Sequence, residues 1–121
     1  IKQAAPLLSR PRQHLCAHTH HGLKVLNVND ILFFKADHKY VLAATATESI
    51  LIEDSLKLLE EEFGTQFFRI HRNALVNTTA IHAITKSASG QFELQLKGYK
   101  DTLSISRRHQ AELNRFLRQK D

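Results

Sequence analysis

The chain has one cysteine, Cys16, so it cannot form an internal disulfide. An unpaired cysteine fits a reducing compartment, and a cytoplasmic location is the expectation. Long hydrophobic runs are also missing. The longest, residues 31–34 and Tyr40–Ala44, fall far short of the roughly 20 apolar residues that a membrane-spanning helix needs. No basic-then-apolar leader with a small-residue cleavage site opens the chain, so neither secretion nor a membrane partner is expected. Glycine is scarce, four in 121 residues, and no glycine-rich phosphate loop is present. A nucleophile elbow and a Cys–His pair in a catalytic context are lacking too, so the chain is not expected to be an enzyme or to carry a cofactor.

What remains is enough chain for one domain with one core. Apolar content is 42%, ordinary for a globular protein and too high for a disordered tail. The first residue is Ile1 rather than Met, and the chain reads as a piece of something longer. Residues 1–13 carry Pro6, Pro11, Arg10 and Arg12 with little periodicity and read as an interdomain linker remnant, with the domain over residues 14–121.

Charge is unevenly placed. Residues 48–62 hold six of the twelve acids and one base, Lys57; the rest holds sixteen bases and six acids. A basic body with one acidic patch is the footprint of a nucleic-acid binder, although many basic surfaces simply face solvent.

Most of the chain reads as strands. Residues 15–19 and 23–28 flank a His20-His21-Gly22 turn, with Leu23 and Val25 in partial alternation. Ile31-Leu32-Phe33-Phe34-Lys35-Ala36 is a buried strand, Asp37-His38-Lys39 a connection, and Tyr40 starts the next strand. Leu56, Leu59 and Phe63 then recur at helical spacing, with Asp54 or Ser55 as cap and Gly64 as closing residue. Residues 67–70 and 74–76 bracket His71-Arg72-Asn73; residues 81–84 form a turn or short strand. Phe92, Leu94 and Leu96 alternate with polar residues, and Leu103 and Ile105 point inward on the returning strand. Ser106 caps a last helix with the stripe Leu113, Phe116, Leu117. The fold class is mainly β: small antiparallel sheets, a short central helix and a C-terminal helix. The acidic central helix would be repelled by phosphate, and the last helix has no partner that makes a helix-turn-helix. Loops are left to meet DNA.

Three strand-end segments supply cations and donors: Asp37-His38-Lys39-Tyr40, Arg69-Ile70-His71-Arg72-Asn73 and Ser106-Arg107-Arg108-His109. Arg donates two parallel hydrogen bonds to guanine, Asn pairs with adenine, and Lys and His contact phosphates. Arg107 and Arg108 fall in the first turn of the last helix, where cations are disfavoured by roughly 0.3–1 kcal/mol each. Such placement points to an anion outside the fold, or else to pairing with Asp101 or Asp37. Of Arg69 and Arg72, one is expected to pair structurally and Arg72 to face DNA. His14, Cys16, His18, His20 and His21 invite a metal, but no second spaced pair completes a zinc pattern, and no metal is expected.

Four ordered segments carry a resemblance. They are Ile31-Leu32-Phe33-Phe34-Lys35-Ala36-Asp37-His38-Lys39-Tyr40-Val41, Ile52-Glu53-Asp54-Ser55-Leu56-Lys57-Leu58-Leu59-Glu60, Phe67-Phe68-Arg69-Ile70-His71-Arg72-Asn73-Ala74-Leu75-Val76-Asn77, and Ser104-Ile105-Ser106-Arg107-Arg108. Over roughly residues 14–118 the chain resembles the LytTR DNA-binding domain, the output module of LytR/AlgR-type bacterial response regulators, and looks closest to the AlgR branch. The resemblance implies stacked small sheets whose loops enter successive major grooves on one side of bent double-stranded promoter DNA. It implies a receiver domain N-terminal to this one, paired sites that bring a second copy onto one promoter, and DNA contacts at His38, Lys39, Arg72, Asn73, Arg107 and Arg108. Some members have Asn or Ser after the histidine where this chain has Arg72. The rival expectations are a protein-interaction module whose basic face meets an acidic partner and, more remotely, a metal- or nucleotide-dependent enzyme.

Overall fold

A computed structural model describes residues 11–119. Ten strands and two helices follow one another: β1 (His14–Thr19), β2 (Gly22–Asn27), β3 (Phe33–Asp37), β4 (Tyr40–Ala44), β5 (Ser49–Ile52), α1 (Leu56–Glu62), β6 (Phe67–His71), β7 (Ala74–Asn77), β8 (Ile81–Lys86), β9 (Phe92–Leu96), β10 (Thr102–Ile105) and α2 (Arg107–Gln119). The strands form a hairpin β1-β2, a five-stranded sheet in the order β5-β4-β3-β7-β6, and a three-stranded sheet β10-β9-β8. Every pairing is antiparallel. The stacked-sheet expectation holds, with the five-stranded sheet as the middle layer.

Phe33 and Phe34 show why. Successive strand side chains point to opposite faces. Phe34 enters a core with Leu15, Leu26, Leu59, Phe63 and Phe67, under the hairpin and α1. Phe33 enters a second core with Leu94, Leu103, Ile105 and Leu113, under the three-stranded sheet and α2. The continuous apolar run of β3 is that of a strand covered on both faces.

Several boundaries differ from the sequence reading. The β3 strand begins at Phe33, because the Ile31 amide closes a 3-10 turn on Val28 O at 3.1 Å. Asn27 caps that turn by accepting from the Asn29 amide, and Val28 belongs to it rather than to β2. Leu23 and Val25, which mark β2, point outward; Leu26 is the buried residue. The stretch at residue 81 is a full strand to Lys86.

Ser55, not Asp54, caps α1, its Oγ accepting from the Leu58 amide. Gly64 follows α1 without a left-handed backbone; what requires it is space, since a Cβ there would lie 3.0 Å from Glu60 O. Asn77, 1% exposed, staples the middle of the fold. Its Nδ2 donates to Ile31 O at 2.9 Å and its Oδ1 accepts from the Thr79 amide and hydroxyl.

Candidate nucleic-acid interface

The pairing register brings the three predicted segments to one end of the middle sheet. Asp37 pairs with Tyr40, leaving His38-Lys39 as a two-residue turn. His71 pairs with Ala74, leaving Arg72-Asn73 as another. Lys35 pairs with Ala74, and the Ala36 amide donates to Asn73 O at 2.8 Å, so both turns project from the same end. Two strand spacings separate the hairpins, about 10 Å, close to the ~12 Å width of a major groove. The Ser106 amide donates to Ile70 O at 2.9 Å, which docks the start of α2 beside the second turn.

Each turn has a local cause. His38 holds φ at 58°, the left-handed region that non-glycine residues rarely adopt. Asn73 N–H donates to His71 Nδ1 at 3.2 Å, bending the chain just beyond β6. Ser106 Oγ accepts from the His109 amide at 3.2 Å, capping α2 as read from the sequence.

Arg69 and Arg72 divide as expected for a pair with one structural member. Arg69 Nη2 and Nε reach Glu60 Oε1 at 2.8 and 3.2 Å, and the side chain is largely covered. Arg72 is exposed in the turn after β6. Arg107 and Arg108 are exposed on the first turn of α2. Among the described residues neither pairs with Asp101, Asp37 or any other carboxylate within 4.0 Å. Two unneutralised guanidinium groups thus stand at the positive pole of a 13-residue helix. Lys39 and Asn73 are exposed beside them, while exposed His38 has Asp37 Oδ1 at 3.7 Å.

Three grooves meet at this end. Arg72, Arg108 and His109 line one of about 610 Å³; His71, Ser89 and Arg107 line a second of about 330 Å³; Lys35, His71 and Asn73 line a third of about 200 Å³. Sequence reasoning held His71 and His109 within its segments and the Ser89 stretch as a turn, but gave none of them, nor Lys35, a part in the site. The His71-Arg72-Asn73 spacing carried a signal, since a histidine two residues before an amide can accept from it; Lys35, a lone cation in an apolar strand, carried another. His109 is shifted below the ordinary histidine range by burial first and by the nearby Arg108 charge second. A largely neutral ring follows at pH 7.

The histidine-rich hairpin behaves otherwise. The strand ends at Thr19, so His20 lies in the turn and does not share a face with His18. Among the described residues no three His, Cys, Asp or Glu side chains converge on a metal position. No helix among them is long and apolar enough to cross a membrane.

Residues 21–118 match the model of the LytTr DNA-binding domain family. The chain belongs to this family. It is 44% identical over 112 residues to the positive alginate biosynthesis regulatory protein of Pseudomonas aeruginosa, covering 92% of this chain and 45% of that protein. It is 32% identical over 74 residues to an uncharacterised response regulatory protein of Vibrio cholerae, covering 57% and 28%. The chain thus spans less than half the length of these relatives. A LytTr DNA-binding domain from Bacillus cereus superposes with a TM-score of 0.77 at 19% identity, covering 88% of this chain and 97% of that one. By this membership the chain is a DNA-binding domain.

Proposed function

We propose that this LytTr domain is the output module of a response regulator and binds promoter DNA sequence-specifically through one end of its middle sheet. The observation that carries the reading is the convergence of three turns, with Arg72, Arg107 and Arg108 exposed there and free of carboxylate partners. Free guanidinium groups on a rigid support are suited to bidentate contact with guanine O6 and N7. Arg107 and Arg72 read bases; Asn73 is placed to pair with adenine; Lys39, His38 and Arg108 hold phosphates and set register.

That the chain spans less than half of its relatives, one of them a response regulatory protein, supports a receiver domain before this module in the full-length protein, and the proposal includes a second copy at a neighbouring site on the same DNA. The apolar face of α1 packs on the hairpin side of the sheet, and its Glu60, which lines the groove of Arg72 and Arg108, is neutralised by Arg69.

Selection of bound sequences from random duplex DNA is the direct test. A recurrent motif that loses one position in Arg107→Ala and another in Arg72→Ala is the expected result. No enrichment, with equal weak binding to every duplex, would instead favour a basic face for an acidic protein partner.

A further inference from the structure

The turn between β8 and β9 lies beside the three predicted segments. Phe92 at the start of β9 pairs with Ile105 at the end of β10 and with Lys86 at the end of β8. The next residues of β10 are Ser106 and Arg107. The β8–β9 turn is therefore a neighbour of Arg107, and Ser89, Gly90 and Arg107 line one groove. Reading across the end of the fold, the order is the His38 turn, the Arg72 turn, Arg107 and then the Ser89 turn.

The turn is shaped tightly. Its ends close through Ser87 N–H to Gln91 O at 2.7 Å, and the Gly90 amide donates to Ser87 O at 2.9 Å. Ser87 Oγ accepts from the Gln91 amide at 3.2 Å and lies 2.9 Å from Ser89 Oγ. Gly90 has φ +90°. Among the described residues, the Ala88 and Ser89 amides have no protein acceptor. Two consecutive amides thus stand free at the tip, beside the exposed Ser89 hydroxyl that shares a hydrogen bond with Ser87 Oγ, in a turn without an acidic side chain. Successive free amides form a concavity suited to an anion, and phosphate oxygens accept from backbone amides and serine hydroxyls alike.

We infer that the β8–β9 turn is a fourth DNA-contacting element, gripping a backbone phosphate through the Ala88 and Ser89 amides and the Ser89 hydroxyl. It rests on the reading of this end as the DNA face. Its partner is a phosphate and not a base, because small side chains and amides at the tip have no reach into a groove. The contact lies on the side of Arg107 away from Arg72. Arg107 is thereby held in its groove from both sides.

Ser89→Glu places a carboxylate where the phosphate would sit. The same charge at Leu23→Glu, on the exposed hairpin, reports the effect of net charge alone. Ser89→Glu is expected to weaken specific and scrambled duplex alike by about tenfold beyond Leu23→Glu, with the preferred sequence unchanged. Ser89→Arg is expected to tighten both. Ser89→Glu binding as Leu23→Glu binds, or Ser89→Arg leaving affinity unchanged, would overturn the fourth contact while leaving the other three standing. If Arg107→Ala also binds unchanged, the fault lies in the DNA face itself. Melting curves of each variant, expected to match the parent, separate loss of contact from loss of fold.

Discussion

Arg69 donates from Nη1 to the backbone carbonyl of Arg72 at 2.6 Å, while its Nη2 holds Glu60 at 2.8 Å. One arginine thus builds the support on which the other is presented. Arg69 bridges α1 and the β6–β7 turn, and its guanidinium fills both roles because its donors are planar and divergent. Arg69→Ala should lower DNA affinity several-fold without erasing the base preference of Arg72, and cost roughly 1–2 kcal/mol of stability through the lost charge-assisted bonds. Arg69→Lys should recover little, since one ammonium cannot span both acceptors. Calorimetric melting beside a binding titration checks this; full retention of both quantities in Arg69→Ala would show the bridge to be idle.

The left-handed backbone of His38 gives a prediction in which stability and function move in opposite directions. A non-glycine residue with φ of 58° carries strain. Strained backbone persists where the rest of the site requires that side chain. His38→Gly should raise stability by up to about 1 kcal/mol and weaken DNA binding by about tenfold. A denaturant titration and a binding isotherm on the same variant decide it; lower stability with unchanged binding contradicts the account.

Asn77 makes the sharpest stability prediction. Asn77→Ala strands Ile31 O in the core and removes the acceptor for two groups of Thr79. A loss of about 2–3 kcal/mol is expected for an unmade buried bond together with the lost cap. An urea midpoint within error of the parent would mean that water replaces the amide.

His109 links pH to stability. Its pKa is below the ordinary value of 6.5, chiefly from burial and then from Arg108. The unfolded chain therefore takes up the proton at higher pH than the folded domain does. Stability is intact above 6.5 and falls as pH drops from there toward the folded pKa. His109→Gln should flatten that part of the Tm-against-pH curve. DNA phosphates favour the protonated ring, so binding should take up protons as pH falls below 6.5, and His109→Gln should abolish that uptake. A parent Tm that rises between pH 7 and pH 6 has the wrong sign.

Much of this fold was legible in the sequence, and particular residues show where legibility ended. The apolar run around Phe33 and Phe34 announced a buried strand. The Leu56, Leu59, Phe63 spacing announced α1, and Ser106 announced the cap of α2. The convergence of three distant segments was not legible, because it depends on the register of β3 against β7, which no local pattern encodes. The outward Leu23 and Val25 misled because a hairpin laid on a core buries whichever face the layer below presents. Arg12 read as part of a linker, yet it donates to Glu62 and Asp54, 50 and 42 residues away. Its partner Glu62 is held below the ordinary carboxylate range by that hydrogen bond.

The central claim is that exposed arginines at one end of the middle sheet read bases. It is tested most directly by the affinities of the parent and Arg107→Ala for a selected site and for scrambled duplex, each over a series of salt concentrations. The account predicts that the parent prefers its site and that Arg107→Ala loses about 1–3 kcal/mol on the site, with little change on scrambled DNA. Equal preference in the two proteins at every salt concentration would contradict it.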